Sequence, residues 1–367
     1  LIRSIQVFKS AVAIFKGQIS YYPKPVRAFE EKYAKSVGST HAMMFSNATS
    51  AIEAALFSLG VGPSSKVGTT AFVIPSSYCS VKNLGAETKF YDISPGTLNI
   101  DEELVISASD KLSVLIVTHF YGNPCDMESI MNWANENDVF VIEDCSHAHG
   151  AAFKGRPLGS WGHVGVFSLQ GAKAVAAGEG AIAVTDNSEF ALKMVAYGHQ
   201  ESYKKFNIDS NESIKIPPFG FGRKMRVHPI GAVLAMVEFK YLNKKNKIFE
   251  RWICELEELA VDSKKFHIPS QVNGAKRAGF CQGVPIVFYN KENADVFLDK
   301  AKFHGLSCFR RDYTESILYF SSVNTNDDNT VLDYLPHSIS AFNTVVFVPF
   351  YQFIDPRRWS RLLSILG

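Results

Sequence analysis

Between residues 40 and 190 the chain alternates short apolar runs with segments whose apolar positions recur every three to four residues, the pattern of a layered α/β domain. "SNATSAIEAALFSLG" sets Ser46, Asn47 and Thr49 ahead of Ile52, Ala55, Leu56 and Leu59 and closes on Gly60, which predicts a capped helix. "KLSVLIVTHFYG" predicts a buried strand running into a loop, "MESIMNWANEND" a helix, and "VFVIED" a second buried strand that ends on Glu143 and Asp144. "HVGVFSL" and "GAIAVTD" predict two further strands with a short connection between them. Beyond about residue 245 the chain turns more charged, and "NKKNKIFERWICELEELAVDSKK" predicts a long helix leading into a smaller domain. There "GVPIVFYN" and "NTVVFVPF" supply strands, and "KENADVFLDKAKFHG" and "DPRRWSRLLSIL" supply helices. The division predicted is a large domain over 1–245, with an N-terminal helix, and a small C-terminal α+β domain over 246–367. "SSVNTNDDNTVLDYLPHS" reads by composition as a surface loop.

Composition narrows the class. A chain of 367 residues that is 46% hydrophobic can bury a large core. Its 38 basic and 36 acidic residues nearly cancel without a long Lys/Arg block, which argues against a nucleic-acid partner. The small basic run "KYLNKKNK" reads as a solvated helix face. Six cysteines (Cys79, Cys125, Cys145, Cys254, Cys281 and Cys308) are scattered without a C-x-x-C pair, so neither a zinc site nor a disulfide framework is signalled, and a reducing cytoplasm fits. No run is long and apolar enough to span a bilayer, and "LIRSIQVFKSAVAIFKG" reads as an amphipathic helix rather than a signal peptide.

The connection between the last two strands of the large domain carries the most pointed chemistry. "VFSLQGAKAVAAGEGAIAVTD" holds one lysine, Lys173, among small and apolar residues. A phosphate loop needs G-x-x-x-x-G-K-[S/T], and Ala172 and Ala174 flank this lysine, so that reading fails on spacing. In a mainly parallel sheet, loops at the carboxyl ends of the strands gather on one edge, where ligands bind. Three groups would meet there. The helix N-terminus at Asn47-Ala48-Thr49-Ser50 offers N–H donors, hydroxyls and the positive end of a helix dipole to an anion; its plainer reading is an ordinary N-cap. Asp144, beside Glu143, ends a buried strand and needs a cationic or N–H partner, which a structural salt bridge would also provide. Lys173 has small neighbours that leave room for a flat ligand; alternatively it snorkels to solvent. An anion cup, a carboxylate and a lysine are the parts pyridoxal phosphate requires, for its phosphate, its ring nitrogen and its Schiff base. "EDCSHAHG" also brings His147 and His149 near Asp144, leaving a metal site as an alternative.

With these residues in place the chain resembles the DegT-type nucleotide-sugar aminotransferases, which are fold-type I pyridoxal phosphate enzymes. The resemblance rests on five ordered blocks: "FSNATSAIEAALFSLGVGP", "LGAETKFYDISPGTLNID", "VTHFYGNPCDMESI", "VIEDCSHAHGAAFKGRPLGSWGHVGVFSLQGAK" and "GEGAIAVTDN". It implies a mixed, mainly parallel sheet sandwiched by helices, with a smaller C-terminal α+β domain. It implies Lys173 as the Schiff-base lysine and Asp144 as the partner of the pyridine nitrogen, the two catalytic positions. His147 falls near the cofactor's phenolic oxygen, Ser168 matches a phosphate ligand, and Ala48 and Thr49 match the phosphate cup. Lys224 occupies a slot from which the neighbouring subunit reaches the phosphate, so a homodimer with shared sites is implied.

The chain departs from the family at several positions. Ala48 replaces a glycine, Gln170 stands where many members have histidine, and Ala181 replaces a second glycine. Ile74 sits where an aromatic residue stacks on the cofactor ring, leaving either Phe72 or an aliphatic group for that face. The implied reaction moves an amino group from glutamate or glutamine to a keto sugar, nucleotide-linked. Elimination or dehydration of a sugar with the same cofactor is one alternative, and a non-catalytic regulatory protein on this scaffold is another. In "FRRDYTES", Arg310 and Arg311 either meet a substrate anion or are solvated.

Overall fold

The computed structural model describes residues 2–18, 24–199, 215–279, 283–322, 330–350 and 355–367. Its centre is a seven-stranded sheet: β1 (His41–Phe45), β2 (Lys66–Thr70), β3 (Glu87–Tyr91), β4 (Val114–Thr118), β5 (Phe140–Asp144), β6 (Val164–Ser168) and β7 (Ala181–Thr185). The spatial order is β1-β7-β6-β5-β4-β2-β3. β7 is antiparallel to both its neighbours, while the pairs from β6 through β3 are all parallel, so β7 alone runs against the rest. The mixed, mainly parallel sheet expected from the sequence is the one found.

Both faces are covered, which is why β4, β6 and β7 read as continuous apolar runs rather than alternating ones. Successive side chains of β4 go to opposite cores. Val114 and Ile116 pack with α3 (Ala48–Ser58) and α6 (Ser188–Gly198), whereas Leu115 and Val117 pack with α2 (Lys24–Val37), α5 (Met127–Glu136) and α7 (Pro229–Lys240). α4 (Ser76–Asn83) follows β2, and the N-terminal segment forms the expected helix, α1 (Ile2–Phe15), against α7.

A three-stranded antiparallel sheet, β8 (Phe266–His267), β9 (Val284–Phe288) and β10 (Val345–Val348), forms a separate core. α8 (Leu242–Ala260), α9 (Lys291–Phe303) and α11 (Pro356–Leu366) cover it through Leu256, Phe297 and Trp359. Residue 245, the expected division, lies inside α8.

One expectation is corrected. Of the stretch read as a surface loop, 321–338, residues 323–329 lie outside the described residues, while the rest ends a helix at Ser322, contains a helical turn at Thr330–Asp333 and opens α10 (Pro336–Thr344). Pro336 suits the first helical position, and the buried Asp92 carboxylate accepts from His337 N at 2.8 Å and from Ser338 N at 2.7 Å. A cap supplied by a residue 245 positions away leaves no local trace in the sequence. Among the described residues no helix is long and apolar enough to cross a membrane.

Candidate active site

The parallel strands bring their carboxyl ends to one edge, and a cavity of about 300 Å³ lies there. Its wall comes from six connections. Asn47, Ala48 and Thr49 follow β1; Val73, Ile74 and Ser76 follow β2; Thr118 ends β4 and Phe120 follows it; Asp144 ends β5, with Ser146 and His147 beyond; Ser168 ends β6, with Gln170 and Lys173 beyond. Glu179 precedes β7, and Arg311 enters from beside the small sheet. Lys173, Asp144, Ala48, Thr49, His147, Ser168 and Ile74 are therefore brought together, as the sequence led one to expect.

Each is held by local structure. Asn47 has extended backbone angles and its Oδ1 accepts from Ser50 N at 2.8 Å, which starts α3 and leaves the N–H groups of Ala48 and Thr49 beyond the reach of any intrahelical carbonyl. Asp144 is 6% exposed; its Oδ1 accepts from Ser146 N at 3.0 Å and its Oδ2 from the Ser77 hydroxyl at 3.3 Å. Lys173 is 9% exposed, and among the described residues its ammonium makes no ion pair or side-chain hydrogen bond. Burial holds the His147 imidazole well below the usual histidine range, and the Lys173 and Arg311 cations push it further down. Tyr121 N donates to His147 Nδ1 at 3.4 Å, which leaves the ring proton on Nε2. The Thr118 hydroxyl is buried without a hydrogen-bond partner among the described residues.

Two expected residues lie elsewhere. Phe72 does not line the cavity: it is 2% exposed and packs on Phe120 at 4.9 Å and Phe342 at 5.2 Å, one layer back. Val73 and Ile74 supply the aliphatic wall instead. Lys224 is exposed and does not line the cavity of its own chain; its segment bridges His199, and the adjacent Met225 accepts from Ser46 N. Gln170 bends back on its own turn, where Oε1 accepts from Ala172 N at 2.9 Å. The arginine pair divides: Arg310 bonds Asp295 and the Asn343 carbonyl, while Arg311 lines the cavity and donates to the Tyr313 hydroxyl at 2.8 Å.

The basic run read as a solvated face holds at Lys240, Lys244 and Lys247, which are exposed, and is corrected at two positions. Lys245 Nζ turns inward to the Ala174 carbonyl at 2.8 Å and pairs with Glu238, and Asn246 Nδ2 donates to the His149 carbonyl at 3.0 Å. Next to the cavity, His119, Glu143 and Cys145 offer ligand atoms within 4.8 Å of one another. Hydrogen bonds already use both imidazole nitrogens of His119, since Nδ1 accepts from Cys125 N at 3.2 Å and Nε2 meets Glu143 at 3.1 Å. Glu143 further accepts from Gly159 N and Gly162 N, so the cluster braces the end of β5.

Residues 6–365 match the model of the DegT/DnrJ/EryC1/StrS aminotransferase family. The spore coat polysaccharide biosynthesis protein SpsC of Bacillus subtilis is 34% identical over 234 residues, 63% of this chain and 60% of that protein. The L-glutamine:scyllo-inosose aminotransferase of Streptomyces griseus is 33% identical over 180 residues, 49% of this chain and 42% of that protein. The chain thus spans about half the length of these curated relatives. An aminotransferase structure from Psychrobacter cryohalolentis shares the fold with a TM-score of 0.86, at 24% identity, covering 98% of this chain and 95% of that one.

Proposed function

Because the chain belongs to the DegT/DnrJ/EryC1/StrS aminotransferase family, we propose that it is a pyridoxal-phosphate-dependent enzyme that moves an amino group from glutamate or glutamine to a keto sugar or cyclitol. The observation that carries this reading is the meeting of Lys173, Asp144 and the N-terminus of α3 on one cavity wall. The donor set fits the cofactor: N–H groups and the Thr49 and Ser168 hydroxyls for a phosphate, a buried carboxylate for a ring N–H, and an enclosed primary amine for a carbonyl. Bound there, the cofactor supplies a carbonyl that condenses with amines and a ring that accepts the electron pair released from a substrate carbon.

The chain's own residues do the rest. Ser77 and Ser146 N fix the Asp144 carboxylate so that it keeps a proton on the ring nitrogen. His147 Nε2–H is a donor for the phenolic oxygen. Lys173 Nζ, an enclosed primary amine on the cavity wall, would hold the cofactor's carbonyl and serve as the base that moves a proton at the substrate carbon. The aliphatic Val73 and Ile74 wall offers the ring an apolar face in place of an aromatic one. Lys224 reaches the phosphate of the partner subunit's site in a homodimer. Retention of a lysine at 173 favours amino transfer over dehydration, since that proton shuttle also returns the amine to a second carbonyl.

Incubating the cofactor-loaded protein with glutamate or glutamine alone tests the reading. Amino transfer predicts about one equivalent of keto acid per site with no sugar present. Water elimination from keto sugars, with no amino sugar or amino cyclitol formed from any keto acceptor, would establish the dehydratase instead.

A further inference from the structure

Ser168 is the last residue of β6, and its backbone is anchored in an unusual way. The β5–β6 ladder ends at the Asp144–Val166 pair, with Cys145 N donating to Val166 O, because β5 then turns away into the loop that carries His147. The Ser168 carbonyl, two residues on and pointing to the same side, has no strand left to pair with. His149 fills the gap: its Nε2 lies 2.8 Å from Ser168 O. A carbonyl can only accept, so Nε2 carries the ring proton, and Nδ1 accepts from the Tyr33 hydroxyl at 2.8 Å.

Tyr33 and His149 are buried at 2% and 0% exposure. Burial holds the imidazole down at about 4 and lifts the phenol well above its usual range, so the direction of both hydrogen bonds is fixed. The ring sits edge-on to Tyr33, while Asn246 pins the backbone of His149 by donating to its carbonyl at 3.0 Å and accepting from Gly279 N at 3.1 Å.

We propose that Tyr33 and His149 are positioning residues that hold Ser168 in register with the N-terminus of α3, so that the site selects a phosphorylated over an unphosphorylated form of its cofactor. The inference rests on the proposed function above. Its effect is expected to be largest at the phosphate half of the site, because the other two anchors are made through different hydrogen bonds. Asp144 belongs to β5 and is held by Ser77 and Ser146, and the lysine turn is held by Lys245 at Ala174. Loss of the relay leaves the Ser168 carbonyl buried and unsatisfied and frees the serine hydroxyl to leave the cup, while the groups that meet the ring stay in place.

The test is a titration of apoprotein with pyridoxal phosphate and, separately, with pyridoxal, followed by the visible absorbance of the lysine-bound form. The quantity read is the ratio of the two dissociation constants. Tyr33→Phe keeps the packing and removes one hydroxyl; we expect it to lower the preference for the phosphorylated form about tenfold, with pyridoxal affinity changed less than about twofold. His149→Gln is expected to lower it further. An unchanged ratio in Tyr33→Phe, or equal weakening toward both compounds, would overturn the inference, whether or not the His149 variant folds. A wild-type protein that develops no absorbance with either compound would instead overturn the proposed function, and this relay with it.

Discussion

The Lys245 ammonium donates to the carbonyl of Ala174, one residue past Lys173, at 2.8 Å. A helix that begins in the large-domain core at Leu242 and runs on to the small sheet at Ile253 and Leu256 thus clamps the turn presenting the candidate catalytic lysine. Lys245→Met keeps most of the side chain's volume and removes the charge-assisted bond. It is expected to reduce kcat about tenfold, with a melting temperature within a few degrees of wild type. Wild-type turnover in this variant would show that the turn holds its shape without the clamp.

Asp144 is the residue proposed to meet the ring nitrogen. Asp144→Asn is nearly isosteric and keeps the Ser77 and Ser146 hydrogen bonds available, so the cofactor still binds, but its ring loses the anion that keeps it protonated. Turnover is expected to fall by at least about a hundredfold. Undiminished keto acid formation from glutamate would remove Asp144 from that role.

Acid should destabilise the fold in a defined window. Burial lowers His149 and His199 to about 4 each, below the ordinary histidine value of 6.5 that they regain on unfolding. Between those values the unfolded chain binds more protons than the native one, so stability falls as pH drops from about 6.5 toward 4 and levels off below. Each histidine contributes a slope of up to about 1.4 kcal/mol per pH unit. Denaturant midpoints measured from pH 7 to pH 4 check this; a flat profile over that range contradicts it.

A site shared between subunits makes a complementation prediction. Lys224→Ala and Lys173→Ala proteins, each impaired alone, should regain part of the activity when mixed and allowed to exchange subunits, because one site of the hybrid then carries both lysines. No recovery, or a protein that sediments only as a monomer at micromolar concentration, would contradict the shared site.

Much of the fold was legible because its signals are local. The capped start of α3, the acidic end of β5 and the lysine turn after β6 each sit in a run of about a dozen residues, and the parallel sheet brings all three to one edge. What the sequence hid are contacts across long separations. Tyr33 is 116 residues from His149, Lys245 is 71 from Ala174, and Ser77 is 67 from Asp144; side chains that meet only through tertiary packing impose no period. Composition misled at "KYLNKKNK", where two inward-facing polar side chains buttress the site, and at residues 330–338, where a distant carboxylate caps a helix. Phe72 against Ile74 turned on the path of the chain after β2, where an aromatic cluster with Phe120 and Phe342 draws the phenylalanine inward.

The central claim is that Lys173 binds the cofactor covalently, and the visible spectrum tests it most directly. Wild-type protein mixed with pyridoxal phosphate is expected to develop the absorbance of a lysine-bound cofactor that sodium borohydride fixes to the chain. Lys173→Ala is expected to show neither the absorbance nor the fixed adduct, with the label on wild type mapping to the peptide that contains Lys173. An unchanged spectrum and an adduct of equal yield in Lys173→Ala would contradict the account.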